Sequence, residues 1–302
     1  MIPNAAADRE YRRGFALVAL GAFCFAPDSL LLRLMALDQW PTMFWRGLVT
    51  GATITLILSF IHGRRYPARL RALGRPGLAF IAVFVCSNFC FIFAVRETSV
   101  GNTLFILSTS PVFSALISWA ALGERPDRRT FRTIAIAIAG VALIAFGAGG
   151  EGGPNSLIGD LAALGAAILL ATSFVISRRV RPLDMAPMLG PSFLVVAVLA
   201  SFFVSDFNLP AASLTPLLLM GLVFLPAATW CIITGPRLIP AVEVSLLMLI
   251  EAVFGPLIVW WALDEYPGDM TLIGGAMILS ALAWSSLERI GDRKARRPDG
   301  RA

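Results

Sequence analysis

Charge is scarce in this chain: Asp, Glu, Lys and Arg make up 15% of its 302 residues, against 57% apolar ones. Soluble globular domains carry about a quarter charged residues, so the composition excludes that class. Histidine occurs once, as His62 at the end of an apolar run. It supports neither a His/Glu metal spacing nor a Ser/His constellation, so an intramembrane enzyme, a metal site and a cofactor are not expected. Cys24, Cys86, Cys90 and Cys231 all lie inside apolar runs without CxxC spacing, which reads as small packing residues. Short alternating strands are lacking as well, which excludes a barrel. No small-residue cleavage site follows the first apolar run, so it is expected to stay as a helix.

Long apolar runs are what the chain has, with a mean hydropathy of +0.78. Ten spans are read, at 14–33, 42–61, 78–96, 100–121, 131–148, 158–178, 187–205, 214–235, 241–262 and 270–288. Runs of this length cross a ~30 Å hydrocarbon core as helices, because lipid offers the backbone no hydrogen-bond partners. The expected class is an all-α membrane protein. The formal charge of +6 would suggest nucleic acid in a soluble chain. Here the basic residues fill the gaps between spans, so the lipid surface explains them and no nucleic-acid partner is expected. With the N-terminus in the cytoplasm, 22 of the 25 Lys and Arg residues fall on the inside. The positive-inside rule then puts both termini in the cytoplasm.

Residues Val112 to Pro126 recur 141 positions later as Val253 to Pro267, with nine of fifteen identical: Val112, Phe113, Leu116, Ile117, Trp119, Ala121, Leu122, Glu124 and Pro126 in the first copy. Chance would give about one or two matches at ordinary residue usage, so the unit is read as duplicated. Each copy holds five spans, an odd number, so the copies cross in opposite directions. The expected organisation is a tail at 1–13, one repeat at 14–148, an outer linker at 149–157, an inverted repeat at 158–288 and a basic tail at 289–302. Two such halves enclose a central cavity at the midplane, the physical basis of alternating access.

Four ionisable residues fall inside spans, Asp28, Arg46, Glu243 and Glu251, where a charge costs about 2.5–3.5 kcal/mol on insertion scales. Glu251 lies near mid-depth and is a candidate for substrate or proton handling. Asp28 and Arg46 share the outer third and form a candidate ion pair or gate. Glu243 is nearer the inner surface, facing Arg237. Asn88, Asn102, Thr109, Ser110, Thr172 and Ser173 supply neutral polar groups at similar depth. Phe89, Phe91, Trp230 and Trp260 could grip a flat or cationic group. Trp40, Trp45 and Trp284 read as interfacial anchors. Pro27, Pro111, Pro226 and Pro256 are expected to bend or interrupt their helices. The candidate substrate site is therefore Asn88, Asn102, Ser110, Trp230 and Glu251.

The segment Leu122-Gly123-Glu124-Arg125 after Pro111, its copy Leu263-Asp264-Glu265 after Glu251-Ala252-Val253-Phe254, and the Thr98–Asn102 entry resemble the fourth helix of each repeat in the EamA family of the drug/metabolite transporter superfamily. Within it the chain looks most like the YddG-type bacterial amino acid exporters. The resemblance implies ten helices in two inverted five-helix repeats, a cavity lined by the first four of each, and export of small metabolites. Ala252 stands where many members have proline, and Asp264 replaces the glycine of the second copy. The expected function is a secondary transporter exporting amino acids or similar small metabolites across the bacterial inner membrane. Efflux of cationic drugs or aromatic toxic compounds is the alternative, and a passive channel the remote one. The expected partners are the small-molecule substrate and the bilayer.

The inverted repeat makes a direct prediction. In a cysteine-free background, Glu265→Cys should react with a membrane-impermeant maleimide added to whole cells, and Glu124→Cys should react only after the cells are broken. Labelling of both from one side would end the inverted-repeat reading.

Overall fold

The structure, a computed structural model, describes residues 5–97, 103, 106–147, 156–264 and 269–295. Every regular element among them is helical, as a chain that must satisfy its own backbone in lipid requires. In chain order these are α1 (Ala5–Phe25), α2 (Asp28–Met35), α3 (Gln39–His62), α4 (Tyr66–Ala72), α5 (Gly74–Glu97), α6 (Ser110–Leu122), α7 (Arg128–Gly147), α8 (Ser156–Arg179), α9 (Leu189–Ser201), α10 (Ala211–Leu218), α11 (Leu225–Thr234), α12 (Ala241–Leu263) and α13 (Asp269–Ala295). Among the described residues, six stretches are long and apolar enough to cross a membrane: Arg9–Leu32, Gln39–Ala72, Gly74–Ala94, Leu157–Arg179, Ala211–Arg237 and Ala241–Leu263. Ser110–Leu122, Ala186–Ser201 and Leu272–Ala281 are shorter apolar helices. Large apolar side chains such as Leu56, Phe60, Leu157, Val198 and Trp261 point outward, as lipid-facing positions do.

Prolines set most of the interruptions. Pro27 separates α1 from α2, and its carbonyl accepts the Leu31 N–H at 2.9 Å to start the second helix. Pro111 occupies the first turn of α6, just after a turn at residues 108 and 109. Pro226 follows a π-helical turn, Leu219–Phe224, that joins α10 to α11. Pro256 breaks the pattern, because α12 runs helical from Ala241 to Leu263 straight through it. One missing donor is carried by the intact turns on either side.

The two copies of the repeated segment end alike. Gly123 closes α6 with φ 69°, and its N–H donates to the Trp119 carbonyl at 3.1 Å. Asp264 closes α12 with φ 56°. Both are left-handed caps, a conformation glycine adopts freely and Asp tolerates better than most residues. The Gly-to-Asp departure therefore leaves the local turn unchanged. Glu265 and the linker at 149–157, apart from residues 156 and 157, lie outside the described residues.

Helices pair closely where small residues allow it. The most extensive contacts are α5 with α8, α3 with α9, α7 with α13 and α1 with α11, followed by α6 with α8, α1 with α12 and α6 with α12. On α3, Gly47 and Gly51 form a small-xxx-small pair facing α9. A Cβ on Gly47 would stand 2.9 Å from the Phe193 carbonyl oxygen, and one on Gly51 would stand 2.8 Å from the Leu194 amide nitrogen. Backbone cannot yield as a side chain can, so these glycines fix the separation of the two helices. Trp40 and Trp45, read as membrane-interface anchors, are both part-buried: Trp40 stacks on Phe203 at 4.7 Å, and Trp45 packs against the apolar cluster of Leu31, Met35, Leu217 and Met220. The basic stretch between α3 and α5, expected as a bare gap, forms α4, held by the buried Tyr66 hydroxyl donating to the Pro187 carbonyl at 3.1 Å.

Gly51→Leu should force α3 from α9 and lower the melting temperature in detergent, with a cost of about 1–3 kcal/mol from overpacking. Gly165→Ala, where the nearest atom is Cys90 Sγ at 3.7 Å, should be tolerated. Equal melting temperatures for the two variants would contradict the close approach.

Candidate functional site

The break at Pro27 places Asp28 in the first turn of α2, where the helix dipole favours a carboxylate. Asp28 Oδ2 accepts a hydrogen bond from an Arg46 terminal guanidinium nitrogen of α3 at 2.8 Å, with side-chain exposures of 9% and 19%. The expected ion pair is therefore made. Glu251 is part-buried on α12, which packs against α2, the helix that carries Asp28. The pair is also incompletely satisfied. Asp28 Oδ1, Arg46 Nε, Trp45 Nε1 and Thr50 Oγ1 are all buried with no hydrogen-bond partner in the protein. Thr50 stands one turn beyond Arg46 on the same side of α3.

The other described site residues stand on other helices. Asn88 spends its amide on its own helix, donating to the Phe84 carbonyl at 2.9 Å, and α5 packs on α8 and α9. Ser110 is buried at the start of α6, which packs on α8 and α12. Trp230 is 45% exposed and shares an outward face with Leu219, Leu222 and Val223. The Thr109, Thr172 and Ser173 hydroxyls donate to carbonyls of their own segments, at Ile106, Ile168 and Leu170. Asn102 lies outside the described residues.

A second polar cluster sits at the opposite end of the bundle, roughly 25 Å from Asp28 if counted from Tyr11 along α1 at helical rise. Turned by the Gly123 cap, Glu124 accepts from buried Arg178 Nε at 3.0 Å, and another guanidinium nitrogen of Arg178 donates to the Pro236 carbonyl at 3.1 Å. Arg181 adds a longer 3.6 Å contact to Glu124. Tyr11 donates to Glu243 Oε2 at 2.6 Å. Arg237, expected to face Glu243, reaches Asp184 Oδ1 at 3.4 Å and the Arg181 carbonyl at 3.0 Å. The Ser114 and Ser245 hydroxyls meet at 2.5 Å and tie α6 to α12. Arg178 entered the sequence reading only as a topological charge. The doubled Glu124 motif was the signal that a cation had to answer it.

Because Arg178 answers both a carboxylate and a carbonyl, Arg178→Gln should cost about 1–3 kcal/mol in unpaired groups and raise amide exchange across residues 235–243. Arg125→Gln, at an exposed neighbour of Glu124, is the control and should change neither. Identical exchange in the two variants would remove the cluster's role in closing this end.

The geometry can be set beside known proteins. The fold is shared with a crystal structure of another protein over 91% of this chain and 98% of that one, with a TM-score of 0.72 and 18% identity. In sequence the chain is 27% identical over 206 residues to the uncharacterized transporter YetK of Bacillus subtilis strain 168, a match covering 65% of this chain and 59% of the relative's length. Residues 12–146, the segment that carries Asp28, Arg46, Asn88, Ser110 and Glu124, match the EamA-like transporter family.

Proposed function

We propose that this chain is a secondary transporter of the EamA type. It exports amino acids or similar small metabolites across the bacterial inner membrane by alternating access, with both termini in the cytoplasm. The observation that carries the reading is the buried Asp28–Arg46 ion pair, with a further acid, Glu251, on the helix packed against α2, inside an apolar helical bundle. Lipid-embedded charge is costly and is kept where it handles a ligand or an ion.

The ten-span inverted repeat is supported by the way the helices pair. Taking α1 with α2 as the first span and α10 with α11 as the eighth, exchange each span with the one five places on. The pairs α3 with α9, α6 with α12 and α7 with α13 return to themselves, while α5 with α8 exchanges with α1 with α11, and α6 with α8 exchanges with α1 with α12. A pseudo-two-fold axis in the membrane plane accounts for that closure. The family match at residues 12–146 falls on the first expected repeat, and the relative from Bacillus subtilis is itself named a transporter.

In this reading Glu251 serves the substrate's ammonium or a coupling proton. Ser110 and Asn102 contribute from the facing fourth span, and Asn88 and Trp230 reach the ligand in other states of the cycle. The cluster around Glu124 and Arg178 closes the cytoplasmic end while the site faces outward. Efflux of cationic compounds is the second reading, favoured because two acids face one arginine.

Purified protein in liposomes should show saturable counterflow of a labelled amino acid, and Glu251→Gln should reduce it at least tenfold. A quaternary ammonium dye carried in place of every amino acid would favour the second reading. Unsaturable flux with single-channel conductance would defeat both.

A further inference from the structure

Asp28 and Arg46 join α2 to α3 through one 2.8 Å contact, yet each keeps a second buried group unanswered. A purely structural ion pair in lipid would have its remaining lone pairs and protons satisfied, since the burial of charge is otherwise unfavourable. Here the unanswered groups are of both kinds, on α2 and on the first half of α3. Asp28 Oδ1 is an acceptor suited to an ammonium, while Arg46 Nε and Trp45 Nε1 are donors suited to a carboxylate, with the Thr50 hydroxyl one turn on. Glu251 stands on α12, which packs against α2. The wall beside them is aliphatic and aromatic: Leu31, Leu217, Met220 and Leu225 with Phe25. The π-helical turn Leu219–Phe224 presses on α3 here, with Gly221 so close to Val49 that a Cβ would fall 2.6 Å from its Cγ1. Such turns are stored irregularities and recur at functional sites.

From this arrangement we infer that the Asp28–Arg46 pair is a clamp that opens to take a small zwitterion with an apolar side chain. The ligand's ammonium goes to Asp28 and Glu251, and its carboxylate to Arg46 and Trp45. With one carbon between its two charged ends, an α-amino acid matches groups that are themselves a single ion pair apart. The ligand exchanges the internal pair for two external ones, so Asp28 and Arg46 each keep an opposite charge through opening and closing. The assignment rests on the transporter reading but goes beyond it, since it requires recognition of both ends of the substrate.

The test is counterflow in proteoliposomes with leucine, 3-methylbutylamine and 4-methylpentanoate, which share a side chain and differ in which charged end they keep, run alongside the remaining amino acids. Leucine or another apolar amino acid should be carried, with the amine and the acid at least tenfold slower. Arg46→Lys keeps the ion pair but loses the inner donor Nε, and should reduce the ratio of zwitterion to amine transport about tenfold while the thermal melt stays near that of the parent. Amine transport equal to that of the zwitterion, or an unchanged ratio in Arg46→Lys, would overturn the clamp and leave the transporter standing. Absence of counterflow for every solute would instead overturn the transporter reading itself.

Discussion

Hydrocarbon cannot solvate a charge or an open backbone group, and the architecture follows from that one constraint. It makes every described regular element helical, and it decides which side chains must find one another. Asp28 cannot stand alone in the first span, and Arg46 cannot stand alone in the second, so α2 and α3 are registered against each other by their 2.8 Å contact. The break at Pro27 is part of the same arrangement. It frees the start of α2 to point its first turn, and the Asp28 carboxylate with it, at the neighbouring helix.

Helices in lipid gain little from burying apolar surface against one another, so close packing has to come from shape. Gly47 and Gly51 bring α3 onto α9 to backbone contact, and Gly221 does the same for the π-helical turn against α3. These contacts hold α3, and so Arg46, between two closely packed neighbours. At the far end the connection is ionic: Arg178 joins the end of α6 to the turn after α11 through Glu124 and the Pro236 carbonyl. One end of the bundle is thus held by polar links that can part, and the other by tight apolar contact around an unsatisfied ion pair.

Much of this was legible in the chain. Asp28 and Arg46 were recognisable as partners because few charges lie within spans, and each had a single candidate of opposite sign at its depth. The segment ending at Glu124 was legible as doubled, and the left-handed cap the structure shows at Gly123 recurs at Asp264 despite the change of residue. Polar residues chosen only for depth fared differently. Asn88, Thr109 and Thr172 turn back onto carbonyls of their own segments, because a hydroxyl or amide in lipid takes the nearest acceptor. Trp230 stands on an outward face.

By itself the sequence determined that the chain lives in a membrane as helices, where those helices break at Pro27 and Pro111, and that one segment occurs twice. These follow from local chemistry: run length, missing backbone donors and residue identity at a fixed offset. Only the tertiary structure decided that α12, with Glu251, packs against α2, that Arg178 answers Glu124, and that Asp28 Oδ1, Arg46 Nε, Trp45 Nε1 and Thr50 Oγ1 are left without partners. Those outcomes depend on the rotation of each helix about its own axis, which glycine contacts and facing side chains set between distant segments, and which no periodicity within a single apolar run specifies.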